Sequence, residues 1–384
     1  MSSPVWLPEI VYVSESARED SMTSRVLTRL PEVDVRYIPD GSDPLAEKTA
    51  GTDFSRDSER FSAGKRRLML TRYQGSWMRA CPGTSQHVCC NLWTINPGEG
   101  CPFDCSYCYL QSYLLRNPTL KLYVNTADMM NEVEQRISSD RSRLFRITTG
   151  EVVDSLVWDN LTDSSYDLVP FFARQDNAIL ELKTKSNHID NLLRLKNEHR
   201  GHTVISWSVN AESICRTDEV HTASLDERIE AASQVVEAGY RVGFHFDPVV
   251  HFPGWEDEYS ASVRKIFDRI AVGNVAWVSV ASLRYAPQMQ EIMRERFPHS
   301  DLPYGEQFLA KDNKLRYIQP LRFKVIDFVW KQLKSVSPAM PVYMCMESPA
   351  AWRNIAGGPP VAGSELQEVF SRAGRLPVIG QDSI

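Results

Sequence analysis

Residues 100–110 read GCPFDCSYCYL, which places Cys101, Cys105 and Cys108 within eight positions. Six of the eight cysteines of the 384-residue chain lie between positions 81 and 108. In a chain of this length such crowding favours metal or redox chemistry over a disulfide framework. The loop opens on Cys-Pro and turns through Asp104 and Ser106, so its thiolates can converge on one centre. Structural zinc takes four ligands, often as two close pairs separated by a longer gap. Here a compact triplet has no fourth cysteine or histidine beside it. Iron–sulfur clusters are bound by cysteine thiolates. A four-iron cluster on three of them leaves one iron open to a substrate or cofactor. A purely structural metal site is the alternative.

Strand-like segments alternate with helix signals on both sides of this loop. VCCNLWTI (88–95) precedes it. RLFRITT (143–149), AILELKT (178–184), TVISWSV (203–209), YRVGFHF (240–246) and VAWVSVA (275–281) follow. Between them, TADMMNEVEQRISS reads as an amphipathic helix with Thr126 as N-cap. SLDERIEAASQVVEAG carries Ile229, Ala232, Val235 and Val236 on one stripe and Gly239 as its stop. Strands alternating with helices imply a parallel sheet with right-handed crossovers. Six units make the expected fold class α/β, a partial (β/α)6 barrel with N-terminal and C-terminal extensions. The expected division is 1–86 (partly irregular), 87–290 (barrel) and 291–384 (helices and a strand). In a barrel of this kind function belongs at the C-terminal ends of the strands.

Composition sets the class. Apolar residues make up 42% and charged residues 24%, with a net charge of −6. These values suit a soluble globular protein. No run of 18 apolar residues is present, and the first residues lack a basic start followed by an apolar core. A cytoplasmic protein with no membrane partner is expected. The acidic balance disfavours DNA as partner, since duplex binding runs through cationic side chains. One stretch argues otherwise: GKRRLMLTRYQGSWMRA (64–80) sets Lys65, Arg66, Arg67, Arg72 and Arg79 among Tyr73 and Trp77. A solvated basic segment is the plainer reading of it.

Cys-x3-Cys-x2-Cys with Tyr107 before the last cysteine resembles the radical S-adenosylmethionine superfamily. CSYCYLQSYL, YVNTADMM, LKTKSNHIDNLL, SWSVNAESI, TASLDERIEAASQVVEAGYRVGFHFDPVVHFPGWEDEY and VYMCMESPAAW are similar to its spore photoproduct lyase-like family. The resemblance covers roughly residues 75 to 355. It implies that Cys101, Cys105 and Cys108 each ligate one iron of a [4Fe-4S] cluster. The fourth iron would chelate S-adenosyl-L-methionine, whose reductive cleavage yields a 5′-deoxyadenosyl radical. An electron donor such as flavodoxin or ferredoxin is then required. Thr149-Gly150-Glu151 matches a Gly-Glu element whose carboxylate takes the amino group of the cofactor. Lys185 matches a lysine that approaches the cofactor carboxylate, and Ser208 and Asn210 match polar cofactor contacts. Ordinary strand-end polarity is the alternative for each. Tyr107 and Tyr109 flank Cys108 and either pack on the cluster or take part in radical transfer.

His245 and Asp247 are one pleat apart and point to the same face, where they bind substrate or form a buried, satisfied pair. Arg284, after the sixth strand, either holds an anionic substrate group or makes a surface ion pair.

One position departs from the family. Its best-known reaction returns a hydrogen atom from a cysteine in the segment matching RITTGEVVDSL (146–156). Glu151 stands at that position, and no cysteine occurs between Cys108 and Cys215. A carboxylate cannot donate a hydrogen atom as a thiol does. The sequence reading therefore prefers a nucleoside, nucleotide or other small metabolite as substrate. The alternatives are a DNA photoproduct lyase with a different hydrogen donor and a non-catalytic metal-binding protein. Cys345 and the upstream Cys81, Cys89 and Cys90 are thiols that could substitute as donor, and the upstream three could instead hold an auxiliary cluster.

Overall fold

The computed structural model describes residues 6–45, 56–83, 87, 88 and 90–357. Every residue of Thr203–Ser208 and of Val275–Ser282 is buried. Strands covered on both faces belong to a parallel sheet with helices outside it. Trp93–Ile95, Phe145–Thr148, Ala178–Thr184, Thr203–Ser208, Arg241–Val249 and Val275–Ser282 lie side by side in chain order, all parallel. They are the first to sixth strands of the expected partial barrel. Val342–Met344 adds a seventh parallel strand beside the sixth, and Met78–Ala80 an antiparallel edge beside the first. The first strand is shorter than the expected 88–95. Asn91 takes a left-handed conformation (φ 54°), which breaks the pleat before Trp93.

The covering helices follow their sequence signals. Leu225–Glu237 starts at a capping box between Ser224 and Glu227 and buries Leu225, Ile229, Ala232 and Val235. Gly239 follows it with φ 95°, a conformation that suits glycine. Thr126–Ser139 forms as expected, with Asn125 rather than Thr126 at the N-cap. Gln319–Val336 buries Val325, Ile326, Val329 and Leu333 over the sixth and seventh strands.

The N-terminal segment is more ordered than its composition suggests. Ile10–Ser14, Asp34–Ile38 and Arg67–Thr71 form a parallel sheet. Leu120–Tyr123 extends it in parallel and Gly98–Glu99 ends it antiparallel. Val11, Val13, Leu68, Leu70 and Leu122 bury one face of this sheet together with Val157, Trp158 and Leu161 from the barrel. The N-terminal sheet therefore borrows strands from both sides of the cysteine loop, across the expected boundary at 86/87. In return, Met78–Ala80 joins the barrel sheet. No helix among the described residues is long and apolar enough to cross a membrane.

Candidate active site at the barrel mouth

The barrel interior is filled by a polar centre. Glu181, 1% exposed, accepts from Arg146 (3.1 and 2.8 Å), His245 Nε2 (2.8 Å), Ser206 (2.8 Å) and Trp277 Nε1 (2.8 Å). Arg146 also donates to Tyr343 (2.8 Å), and His245 Nδ1 meets Ser279 Oγ at 2.6 Å. A Cβ at Gly243 would stand 2.5 Å from Ser206 Oγ and 2.9 Å from Trp277 Nε1, so only glycine leaves room for this arrangement. Burial would raise the Glu181 pKa, but Arg146 and His245 outweigh it and hold the carboxyl well below the usual range. Burial, with Lys183, lowers His245 to about 4, so it is neutral at pH 7. His245 is buried and satisfied by Glu181 and Ser279, and it is not hydrogen-bonded to Asp247, which pairs with Arg284.

The cysteine loop sits at one side of the strands' C-terminal ends. Asp104–Cys105 pairs antiparallel with Glu219–Val220, tying the loop to the segment after the fourth strand. Ser106 donates to Asp218 from its backbone (2.8 Å) and its hydroxyl (2.5 Å). Gln111 donates to the carbonyls of Cys105 and Ser106 (2.9 and 2.8 Å). The thiols lie close enough for Cys101 and Cys105 each to feel the charge of Cys108. Burial, aided by Asp154, pushes Cys101 up to about 12, and burial raises Cys105 well above the usual thiol range. Metal binding must displace these protons. Among the described residues no three such side chains stand in single-ion geometry. Three thiolates that each take a different iron need not meet at one point, so the donor set fits a four-iron cluster.

Tyr107 is buried and donates a short hydrogen bond to Glu219. Arg228 Nη1 lies 2.6 Å from the other Glu219 oxygen. Burial would raise Glu219, but Arg228 and Lys185 hold it at about 2. Lys185 lies over the Tyr107 ring at 5.8 Å, within electrostatic reach of Glu219, Cys105 and Cys108. Its backbone is fixed by Asp154, which accepts from Lys185 N (2.7 Å) and Thr184 (2.6 Å). Glu151 follows the second strand. It takes a long hydrogen bond from Asn96 (3.3 Å), and its backbone carbonyl accepts from Tyr109 (2.7 Å). Ser208 lies one pleat above Ser206 on the inner face, opposite His245. Asn210 does not join this group. Its side chain accepts from Tyr259 and donates to the Pro248 carbonyl (3.1 Å), which anchors the helix Trp255–Phe267.

On the opposite side of the mouth, Arg284 makes a two-point ion pair with Asp247 (2.9 and 3.2 Å). Burial would raise Asp247, but Arg284 and Lys183 hold it at about 2. Arg284 is thus engaged with a carboxylate in a pair that is largely buried rather than at the surface. Cys345 lies within reach of this pair and of Cys90, and burial, with Asp247, lifts its thiol to about 12. Cys81 instead acts on Tyr109, and Cys89 lies outside the described residues. The basic stretch 64–80 is dispersed: Lys65 pairs with Asp104, Arg66 with Glu9, and Arg72 with Asp20 and Asp128.

The family model for spore photoproduct lyase matches residues 6–334. The chain belongs to the spore photoproduct lyase family. Spore photoproduct lyases of Geobacillus sp. and Bacillus subtilis are 29% and 28% identical over 56% and 54% of this chain. The matched regions span 63% and 61% of those two proteins. That of Clostridium acetobutylicum is 22% identical over 72% of this chain and 78% of its own length. A solved spore photoproduct lyase variant with bound AdoMet and dinucleoside spore photoproduct aligns with a TM-score of 0.77 at 22% identity. The alignment covers 88% of this chain and 99% of that one, a likeness of fold.

Within this lyase-family fold the sequence reading missed Glu181, Arg146, Glu219 and Arg228. Glu181 had a signal, a single carboxylate inside the apolar run AILELKT. Glu219 had none, because its partner Tyr107 is 112 residues away.

Proposed function

We propose that this chain is a radical S-adenosylmethionine enzyme acting on a thymine photoproduct in DNA, with a hydrogen donor other than a cysteine at position 151. The observation that carries it is the meeting of Cys101, Cys105 and Cys108 with Lys185 and Glu151 on one side of the barrel mouth. The three cysteines would hold the [4Fe-4S] cluster. Glu151 would accept from the cofactor's amino group, and Lys185 would face its carboxylate. Ser208 would add a polar contact from the inner face. When bound, the cluster and S-adenosylmethionine supply a 5′-deoxyadenosyl radical. Tyr109, fixed on the Glu151 carbonyl, would cover the site. Cys345 would return the hydrogen atom, since burial keeps its S–H bond intact at neutral pH.

Family membership supports the DNA reading, and so does an element the sequence analysis passed over. Phe308–Leu309 and Leu315–Arg316 form a hairpin whose second strand pairs with Arg284–Tyr285, beside the mouth. Tyr304, Phe308 and Leu309 are 62%, 41% and 57% exposed, and Lys311 and Lys314 lie in the turn. Exposed rings and lysines together suit unstacked nucleotides. Glu151 favours the second reading, a nucleoside, nucleotide or other small metabolite. The setting in this proposal is the cytoplasm, with flavodoxin or ferredoxin as electron donor. The test is anaerobic incubation of reconstituted enzyme with deuterated dinucleoside photoproduct and with deuterated nucleosides. Label in 5′-deoxyadenosine from the photoproduct, with release of two thymidines, is expected. Label from a nucleoside alone would move the assignment to the second reading.

A further inference from the structure

Asp104, between the first two cluster cysteines, is gripped by two cations. Lys65 Nζ lies 2.9 Å from one oxygen, and Arg296 Nη2 lies 2.9 and 2.8 Å from the two oxygens. The Lys65 ammonium also donates to the Phe103 carbonyl, and Arg296 to the Gln111 side chain that holds Cys105 and Ser106. Lys65 follows the helix Asp57–Gly64 of the N-terminal unit, and Arg296 ends the helix Met289–Arg296. Their side chains are 12% and 5% exposed. The Phe61 ring stands 5.7 Å from Lys65 Nζ and 4.8 Å from the Arg296 guanidinium, screening both from water. Anchoring a loop carboxylate needs only one of them, and burying a second cation costs desolvation free energy. The surplus charge lies at the cluster loop, where Lys65 acts on Cys101 against the opposite and larger effect of Asp154.

We propose that Lys65, Asp104 and Arg296 form a buried charge group, one positive unit in excess, that raises the reduction potential of the cluster. The inference rests on the reading that Cys101, Cys105 and Cys108 hold a [4Fe-4S] cluster. One-electron reduction adds a negative charge to a buried centre. A fixed cation in weakly screened surroundings stabilises the reduced form more than the oxidised form. None of the three side chains ligates iron, and each acts on the cluster through space.

The test is the midpoint potential of the reconstituted full-length protein, read by electron paramagnetic resonance during anaerobic titration. Asp104→Asn, which leaves both cations unopposed, shifts the midpoint upward. Lys65→Met, which removes the surplus, shifts it downward. A purely anchoring role predicts iron loss in both variants and no opposed shifts. If Asp104→Asn does not fold, Lys65→Met and Arg296→Met carry the test, and both must move downward. A wild-type protein that takes up no cluster overturns this inference and the reading it rests on together. A normal wild-type cluster with unmoved or same-direction shifts in Asp104→Asn and Lys65→Met overturns the inference alone.

Discussion

The barrel holds two polar centres, and they differ in how far their bonding capacity is used. Around Glu181 it is full: the carboxylate accepts five hydrogen bonds from Arg146, His245, Ser206 and Trp277. At the mouth it is not. Glu151 has one long hydrogen bond to its carboxylate, and Lys185 rests over a ring within electrostatic reach of Cys105 and Cys108. A saturated buried network contributes rigidity and a unique packing. An arrangement with capacity to spare is placed to receive a ligand. We read the first centre as scaffold and the second as site; Glu151 and Lys185 lie just past the strands that carry Arg146 and Glu181.

Mutations should separate the two. Cys105→Ala should abolish reductive S-adenosylmethionine cleavage, beyond the roughly 10–100-fold cost of an outer-shell change. Product analysis for 5′-deoxyadenosine checks it, and the urea midpoint of the cluster-free variant should stay near that of the wild type. Glu181→Leu should do the reverse in character. It leaves the buried Arg146 without its carboxylate, so unfolding free energy should fall by about 3–5 kcal/mol in chemical denaturation. Retained stability would mean that the interior network is not structural.

The same network predicts a pH dependence. His245 titrates at about 4 in the fold, against 6.5 ordinarily. Between those values the unfolded chain binds a proton that the folded one refuses, so stability falls as pH drops from 6.5 toward 4. Denaturant melts across this window should show the loss, and a His245→Gln variant should flatten it. A smaller effect is expected at Glu151→Gln. Losing one charge-assisted contact, worth about 1.5–3 kcal/mol, should weaken S-adenosylmethionine binding about 10- to 100-fold. Calorimetry on the cluster-loaded protein measures it, and unchanged affinity would remove Glu151 from the cofactor site.

The sequence carried the scaffold further than the site. Strand order followed from alternating strand and helix signals, because parallel crossovers admit few topologies. The cysteine loop was legible because its residues are contiguous. Glu219 and its hydrogen bond to Tyr107 were not, since that bond depends on the pairing of Asp104–Cys105 with Glu219–Val220. Asn210 shows the opposite limit. A polar residue ending a strand has the same sequence signature whether it faces the mouth or, as here, a helix. The N-terminal sheet escaped notice because one of its central partners, Leu120–Tyr123, lies beyond the cysteine loop. The ion pairs of the basic run 64–80 were not legible, because its acidic partners are distant in sequence.

The central claim is that the unsaturated centre binds a redox cluster with one open iron and S-adenosylmethionine upon it. Anaerobic reconstitution followed by dithionite reduction with S-adenosylmethionine tests it most directly, scored as 5′-deoxyadenosine per chain. The account predicts about four irons per chain and 5′-deoxyadenosine from the wild type but not from Cys105→Ala. A fully loaded wild-type protein that forms none would contradict it.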